Sequence, residues 1–116
     1  MQRFLLALVL LAAPPAARAQ MASFCNGNVL AERFDTRVVP GPGGRATYSV
    51  LLRNTQARRL SVQVVVTAPI LGRPTGLQSL PPSGMLNVEL GYQHNLPGSQ
   101  PLRGERLEQV TRVSCP

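Results

Sequence analysis

Residues 45–67 read RATYSVLLRNTQARRLSVQVVVT. In the first half, Ala46, Tyr48, Val50 and Leu52 fall on one side of an extended chain, and Thr47, Ser49, Leu51 and Arg53 on the other. In the second half, Leu60, Val62, Val64 and Val66 share a face. Successive side chains leave a strand on opposite sides, so apolar residues at period two mark a half-buried strand. The β-branched content supports the same reading. Between the two runs, residues 54–59 form a polar connection of hairpin length. The expectation is two strands, paired as a hairpin, at the centre of the domain.

The flanks are less regular. VLAERF, residues 29–34, fits either a short edge strand or a helical turn capped by Asn28. Val38 and Val39 fit a short strand, and PGPGG, residues 40–44, then breaks regular structure. Residues 68–84 contain Pro69, Pro74, Pro81 and Pro82, a density that no helix survives. A long loop is expected there, with a short edge strand at residues 77–80. Residues 85–90 read as a strand with Leu86, Val88 and Leu90 inward. GYQHNLPGSQPLRG, residues 91–104, reads as a second long loop. Residues 105–115 read as a last strand whose mixed pattern suggests a bulge or an edge position. Short strands separated by Gly/Pro turns imply an all-β sandwich or a partly open barrel.

The chain opens MQRFLLALVLLAAPPAARAQ. Arg3 gives a positive start, Phe4 to Ala13 a short apolar run, and Ala17-Arg18-Ala19 a small-x-small site. That is the layout of a secretory signal peptide over residues 1–19, leaving residues 20–116 as one β domain. The apolar run falls short of the about twenty residues a spanning helix needs. No stable membrane insertion is expected after cleavage. Phe24 before Cys25, and the distance from the apolar run, argue against a lipidated cysteine.

Cys25 and Cys115 are the only cysteines. Thiols outside the cytoplasm are usually oxidised in pairs, so a Cys25–Cys115 disulfide is expected. A metal site would need more ligands, and a nucleophilic thiol a nearby base. The twelve basic residues are all arginine, against five acidic ones, for a formal charge of +7. A periplasmic or secreted address makes nucleic acid an unsuitable partner. The excess of arginine fits an affinity for anions such as acidic glycans, with the adjacent pair Arg58 and Arg59 as the candidate contact.

YSVLLRNTQARRLSVQVVV and LPPSGMLNVEL resemble the alternating strands and turns of bacterial immunoglobulin-like domains, over about residues 46–90. The stretch also resembles one half of a periplasmic pilus chaperone. The resemblance implies a small immunoglobulin-like β-sandwich of about six to seven strands. It transfers no functional residue, since the antibody tryptophan is missing and the cysteines lie at the ends.

Catalytic constellations are thin. His94 and Asp35 are the sole histidine and aspartate, and no serine lies in a G-x-S-x-G elbow. Glu32, Glu89, Glu105 and Glu108 read as surface ion-pair partners rather than a glycosidase pair. The protein is therefore expected to be no enzyme and to need no cofactor. The leading expectation is an exported, non-catalytic binding or structural accessory module of a bacterial cell envelope. Its partner would be an envelope protein, met at a sheet edge or through Tyr92, Gln93, His94 and Asn95 in the 91–104 loop. A small copper carrier using His94, Met21 and Met85 is one alternative. An anion or glycan binder is the other.

Overall fold

A computed structural model describes residues 22–116. Seven strands and one helix follow in chain order: β1 (Ala22–Phe24), β2 (Val29–Val38), β3 (Arg45–Asn54), β4 (Leu60–Val66), β5 (Leu77–Leu80), β6 (Met85–His94), α1 (Gly104–Gln109) and β7 (Thr111–Ser114). They form two antiparallel sheets, ordered β1-β2-β3-β6 and β5-β4-β7. The inner faces enclose a single core, so the fold is the expected small β-sandwich. The signal-peptide segment and Met21 lie outside the described residues. Among the described residues, no helix is long and apolar enough to cross a membrane.

The two alternating runs behave as their pattern requires. Ala46, Tyr48, Val50 and Leu52 of β3 are buried, and so are Leu60, Val62, Val64 and Val66 of β4. Each strand is bonded to a neighbour on both sides within its sheet. They are not a hairpin, however. β3 belongs to one sheet and β4 to the other, and the segment between them is a crossover. Asn54 explains why the chain turns away. It is buried, and its Nδ2 donates to the carbonyls of Arg58 (2.7 Å) and Pro81 (3.0 Å) while its Oδ1 accepts from the Gln56 N–H (2.8 Å). A buried amide left unpaired would cost about 1–3 kcal/mol, so the segment folds around Asn54 and cannot run straight back along β3. The hairpin partner of β3 is β2, with Val38 opposite Ala46.

β2 settles the ambiguity of VLAERF. It is one strand of ten residues, with a register shift between Ala31 and Arg33. Val29 and Ala31 point inward before the bulge, and Phe34, Thr36 and Val38 after it. The extra residue, Glu32, spoils period two, which is why the sequence also fits a helical turn. β6 has the same device. It runs on past Leu90 to His94, with a register shift opposite Tyr48 and Ser49. Residues 91–94 are therefore strand, not loop. Gly91 allows this bulge: its φ is +139°, and a Cβ there would lie 2.4 Å from the Leu71 carbonyl oxygen and 2.7 Å from Ile70 Cδ1.

The expected strand over 105–115 is also corrected. α1 comes first and β7 is only its last part. Leu107, Val110 and Thr111 are spaced for one helical face, which buries Leu107 fully and packs Val110 on the core. Thr111 Oγ1 donates to the Leu107 carbonyl (2.8 Å) at the junction. The connection before α1 is fastened to the sandwich at Leu102. Its N–H donates to the Tyr48 hydroxyl (3.1 Å), and its carbonyl accepts from Thr36 Oγ1 (2.6 Å).

Cys25 and Cys115 are joined, with Cα atoms 5.9 Å apart across a sequence separation of 90. The bond ties the start of the four-stranded sheet to the end of the three-stranded one. In the chain-entropy account, closing such a loop stabilises the fold by about 4–5 kcal/mol.

Candidate functional site

The two bulges decide what the outer face of the four-stranded sheet carries. If Glu32 were an ordinary paired residue, the inward series Val29, Ala31 would continue through Arg33, Asp35 and Arg37. The bulge turns those three side chains outward, where they pair with Leu51, Ser49 and Thr47 of β3. Without the bulge after Glu89, the inward series Val88, Leu90 would continue through Tyr92 and His94. The bulge turns these outward too, opposite Thr47 and Arg45. Bulges re-aim side chains in this way next to functional sites.

Three cross-strand rows result. Arg33, Leu51 and Asn87 form one, Asp35, Ser49 and Glu89 the next, and Arg37, Thr47 and Tyr92 the third. Arg45 and His94 close the end. A trough of about 760 Å³ lies over these strands, lined by Arg33, Arg37, Arg45, Ser49, Asn87 and Glu89 among others. Arg33 Nε donates to Asp35 Oδ2 at 3.0 Å, and Arg53 pairs with Glu32. Among the described residues, no carboxylate pairs with Arg37 or Arg45. The Arg45 guanidinium carbon instead lies 4.3 Å from the Tyr92 ring centroid. Tyr92 meets His94 edge to face, with centroids 5.5 Å apart.

The four residues expected to form a contact loop divide. Tyr92 and His94 lie on the outer face. Gln93 turns inward, and its Oε1 accepts from the Tyr48 hydroxyl. Asn95 closes the β2–β3 turn: its Nδ2 donates to the Val39 carbonyl (2.7 Å), and its N–H to the Gly44 carbonyl (3.1 Å). Arg58 and Arg59 are exposed on the crossover, beyond the opposite end of β3, and Arg59 Nη1 donates to Ser79 Oγ (3.1 Å). They are not part of the trough.

The metal candidates are far apart. Met85 and His94 are the two ends of β6, about 30 Å apart at the usual rise per residue. Ser49 faces Asp35 across the β2–β3 pair, but His94 lies opposite Arg45, four residues further along β3, about 13 Å away. Glu32, Glu105 and Glu108 surround a separate hollow of about 470 Å³ between β2 and α1, while Glu89 faces the trough. Among the described residues, Glu89, Glu105 and Glu108 form no ion pair, contrary to the surface pairing expected of them, whereas Glu32 pairs with Arg53.

Arg33, Arg37, Arg45, Asn87 and Glu89 were not singled out by the sequence as a group. Period-two alternation places Arg45 and Glu89 outward, but the bulges that align the five are visible only in the register. No family model matches the chain, and no curated protein or solved structure is significantly similar to it.

Proposed function

We propose that the protein is an exported, non-catalytic binding or structural accessory module of a bacterial cell envelope, acting in the periplasm or outside the cell after loss of residues 1–19. The observation that carries this reading is the outer face of the four-stranded sheet. Two bulges present charged, amide and aromatic side chains there, on a frame closed by the Cys25–Cys115 disulfide. The disulfide fits a non-cytoplasmic compartment. The immunoglobulin-like reading of the frame rests on the alternation and turns of residues 46–90. A division into four and three strands is common to many sandwiches, and here the first three strands form one meander within one sheet.

A face suits recognition better than an edge in this sandwich. β1 has three residues and β5 and β7 four each, which gives an added strand little backbone to pair with. β6 is the long edge, but at Tyr92 its outer side is already bonded to Leu71. The partner, a macromolecule of the envelope, meets the side chains of the trough.

The test places a photo-crosslinking residue at Thr47, on this face, or at Ser61, on the outer face of the other sheet, in the exported protein. Crosslinks to an envelope component from position 47 and none from position 61 are expected. Equal yields from both positions would sink the assignment of the face.

A further inference from the structure

We infer that the trough binds an acidic oligosaccharide, with the sugar carboxylate held between Arg37 and Arg45. This inference rests on the proposed binding face. Arg37 and Arg45 are diagonal neighbours across the β2–β3 pair, on the same side of the sheet. Such positions lie about 7–8 Å apart at their roots, so two arginine side chains can converge on one anion. Neither is neutralised by a carboxylate among the described residues. Arg45 is also held in place, because its guanidinium lies over the Tyr92 ring. The ring offers no hydrogen-bond acceptor of its own on that face, so N–H donors directed away from it remain for a carboxylate.

The rest of the trough is suited to hydroxyl groups. One row from Arg37 and two from Arg45 lie Ser49, Glu89 and Asp35, whose carboxylate is taken up by Arg33, and beyond them Asn87. They supply donors and acceptors in alternation, which sugar hydroxyls can satisfy. A trough of about 760 Å³ falls within the usual size of ligand sites. A peptide is a poorer fit. β3 is bonded on both sides and offers no backbone, and Leu51, half buried, is the apolar side chain of the central rows. A uniform polyanion is a poorer fit as well, since Glu89 would face it.

The test is calorimetric titration of the disulfide-bonded protein with a hexamer of alternating glucuronate and N-acetylglucosamine, its fully methyl-esterified form, and free glucuronate. The hexamer should bind, and esterification should weaken it about tenfold or more, the worth of one charge-assisted pair. Arg37→Gln and Arg45→Gln should each cost about tenfold, whereas Arg58→Gln combined with Arg59→Gln should cost less than about twofold. Tyr92→Leu should weaken binding about fivefold, and Tyr92→Phe should not, because the ring face and not the hydroxyl meets the guanidinium. Equal affinity for the ester, or loss on replacing Arg58 and Arg59, would overturn the site. A monomer as tight as the hexamer would leave a simple anion site and remove the oligosaccharide. If neither the hexamer nor glucuronate binds while position 47 still crosslinks to an envelope protein, the glycan is wrong and the face stands. If neither occurs, both fall.

Discussion

β3 and β4 keep strict alternation from end to end, while β2 and β6, which flank β3, each break it once. The regular strands supply the middle of the core. The irregular ones supply most of the polar outer face. An unbroken strand sorts its residues into two faces by parity alone. A bulge reverses the parity partway, so one strand can give apolar residues to the core on both sides of the break and still send a charged series outward. In β2 this lets Val29 and Ala31, then Phe34 and Val38, all reach the core past Arg33, Asp35 and Arg37.

The sharpest way to break this comparison is to delete one residue from a regular strand and one from a bulge. Deleting Leu51 from β3 would reverse parity after Val50, turning Leu52 and Asn54 outward and Arg53 toward the core. Deleting Glu32 would instead make β2 regular and leave Arg33, Asp35 and Arg37 facing outward. Burying a charge without a partner costs several kcal/mol, and the core loses Leu52 as well, against a total stability of about 5–15 kcal/mol. By circular dichroism no cooperative thermal transition should remain for the Leu51 deletion. The Glu32 deletion, which loses only its pair with Arg53, should still melt cooperatively. A Leu51 deletion that melted near the parent temperature would show that parity does not set the facing of the strand, and a Glu32 deletion without a transition would show that β2 needs the bulge itself. Next in size is the bond that closes the sandwich. Replacing Cys25 and Cys115 with serine should cost about 4–5 kcal/mol, measured by urea denaturation of the oxidised parent and the variant. An unchanged midpoint would mean that the ends are already held by other contacts.

The second bulge is open to a milder test. Gly91→Ala places a methyl group against the Leu71 carbonyl and Ile70 at a φ that side chains rarely adopt. Backbone strain and overpacking together should cost about 2–3 kcal/mol. The same change at Gly76, also at positive φ but with open space around it, should cost less, about 1 kcal/mol. Equal losses at the two glycines would mean that the close approach of the 70–71 segment contributes nothing.

The contrast between regular and bulged strands also accounts for what the sequence disclosed. Residues 45–54 and 60–66 were legible as strands with the correct buried faces, because parity is a local property. Their pairing was not legible. A polar run of hairpin length is compatible with a turn or a crossover, and the buried hydrogen bonds of Asn54 select the crossover. The Cys25–Cys115 bond followed from the count and the leader. Residues 91–94 looked like loop because alternation stops at Gly91, and 105–110 looked like strand because the helix is too short to show a period. The candidate site suffered most. Tyr92 and His94 were picked out by chemistry, but Arg37 and Arg45 join them only through a register that no single segment contains.

The smallest expected effect probes how the bulged strand β6 is coupled to the regular strand β3. Tyr48 is fully buried on β3, and its hydroxyl has two partners from elsewhere: it donates to Gln93, just past the bulge, and accepts from the Leu102 N–H. Tyr48→Phe keeps the ring and its packing and removes both bonds. Gln93 is half buried and can turn toward water, so the main loss is the Leu102 N–H, and a cost of about 1 kcal/mol follows. In a domain of this size that lowers Tm by about 4–8 °C. Amide exchange separates a local from a general effect. If the hydroxyl fastens the connection before α1 to the sandwich, the Leu102 amide should exchange faster in the variant by more than the global loss explains, while Val62 on β4 follows the global loss alone. Equal acceleration at both amides would mean that the hydroxyl contributes to the core as a whole. The bulged strand would then owe its position to Gly91 and to the Leu71–Tyr92 backbone bonds, without help from the regular strand beside it.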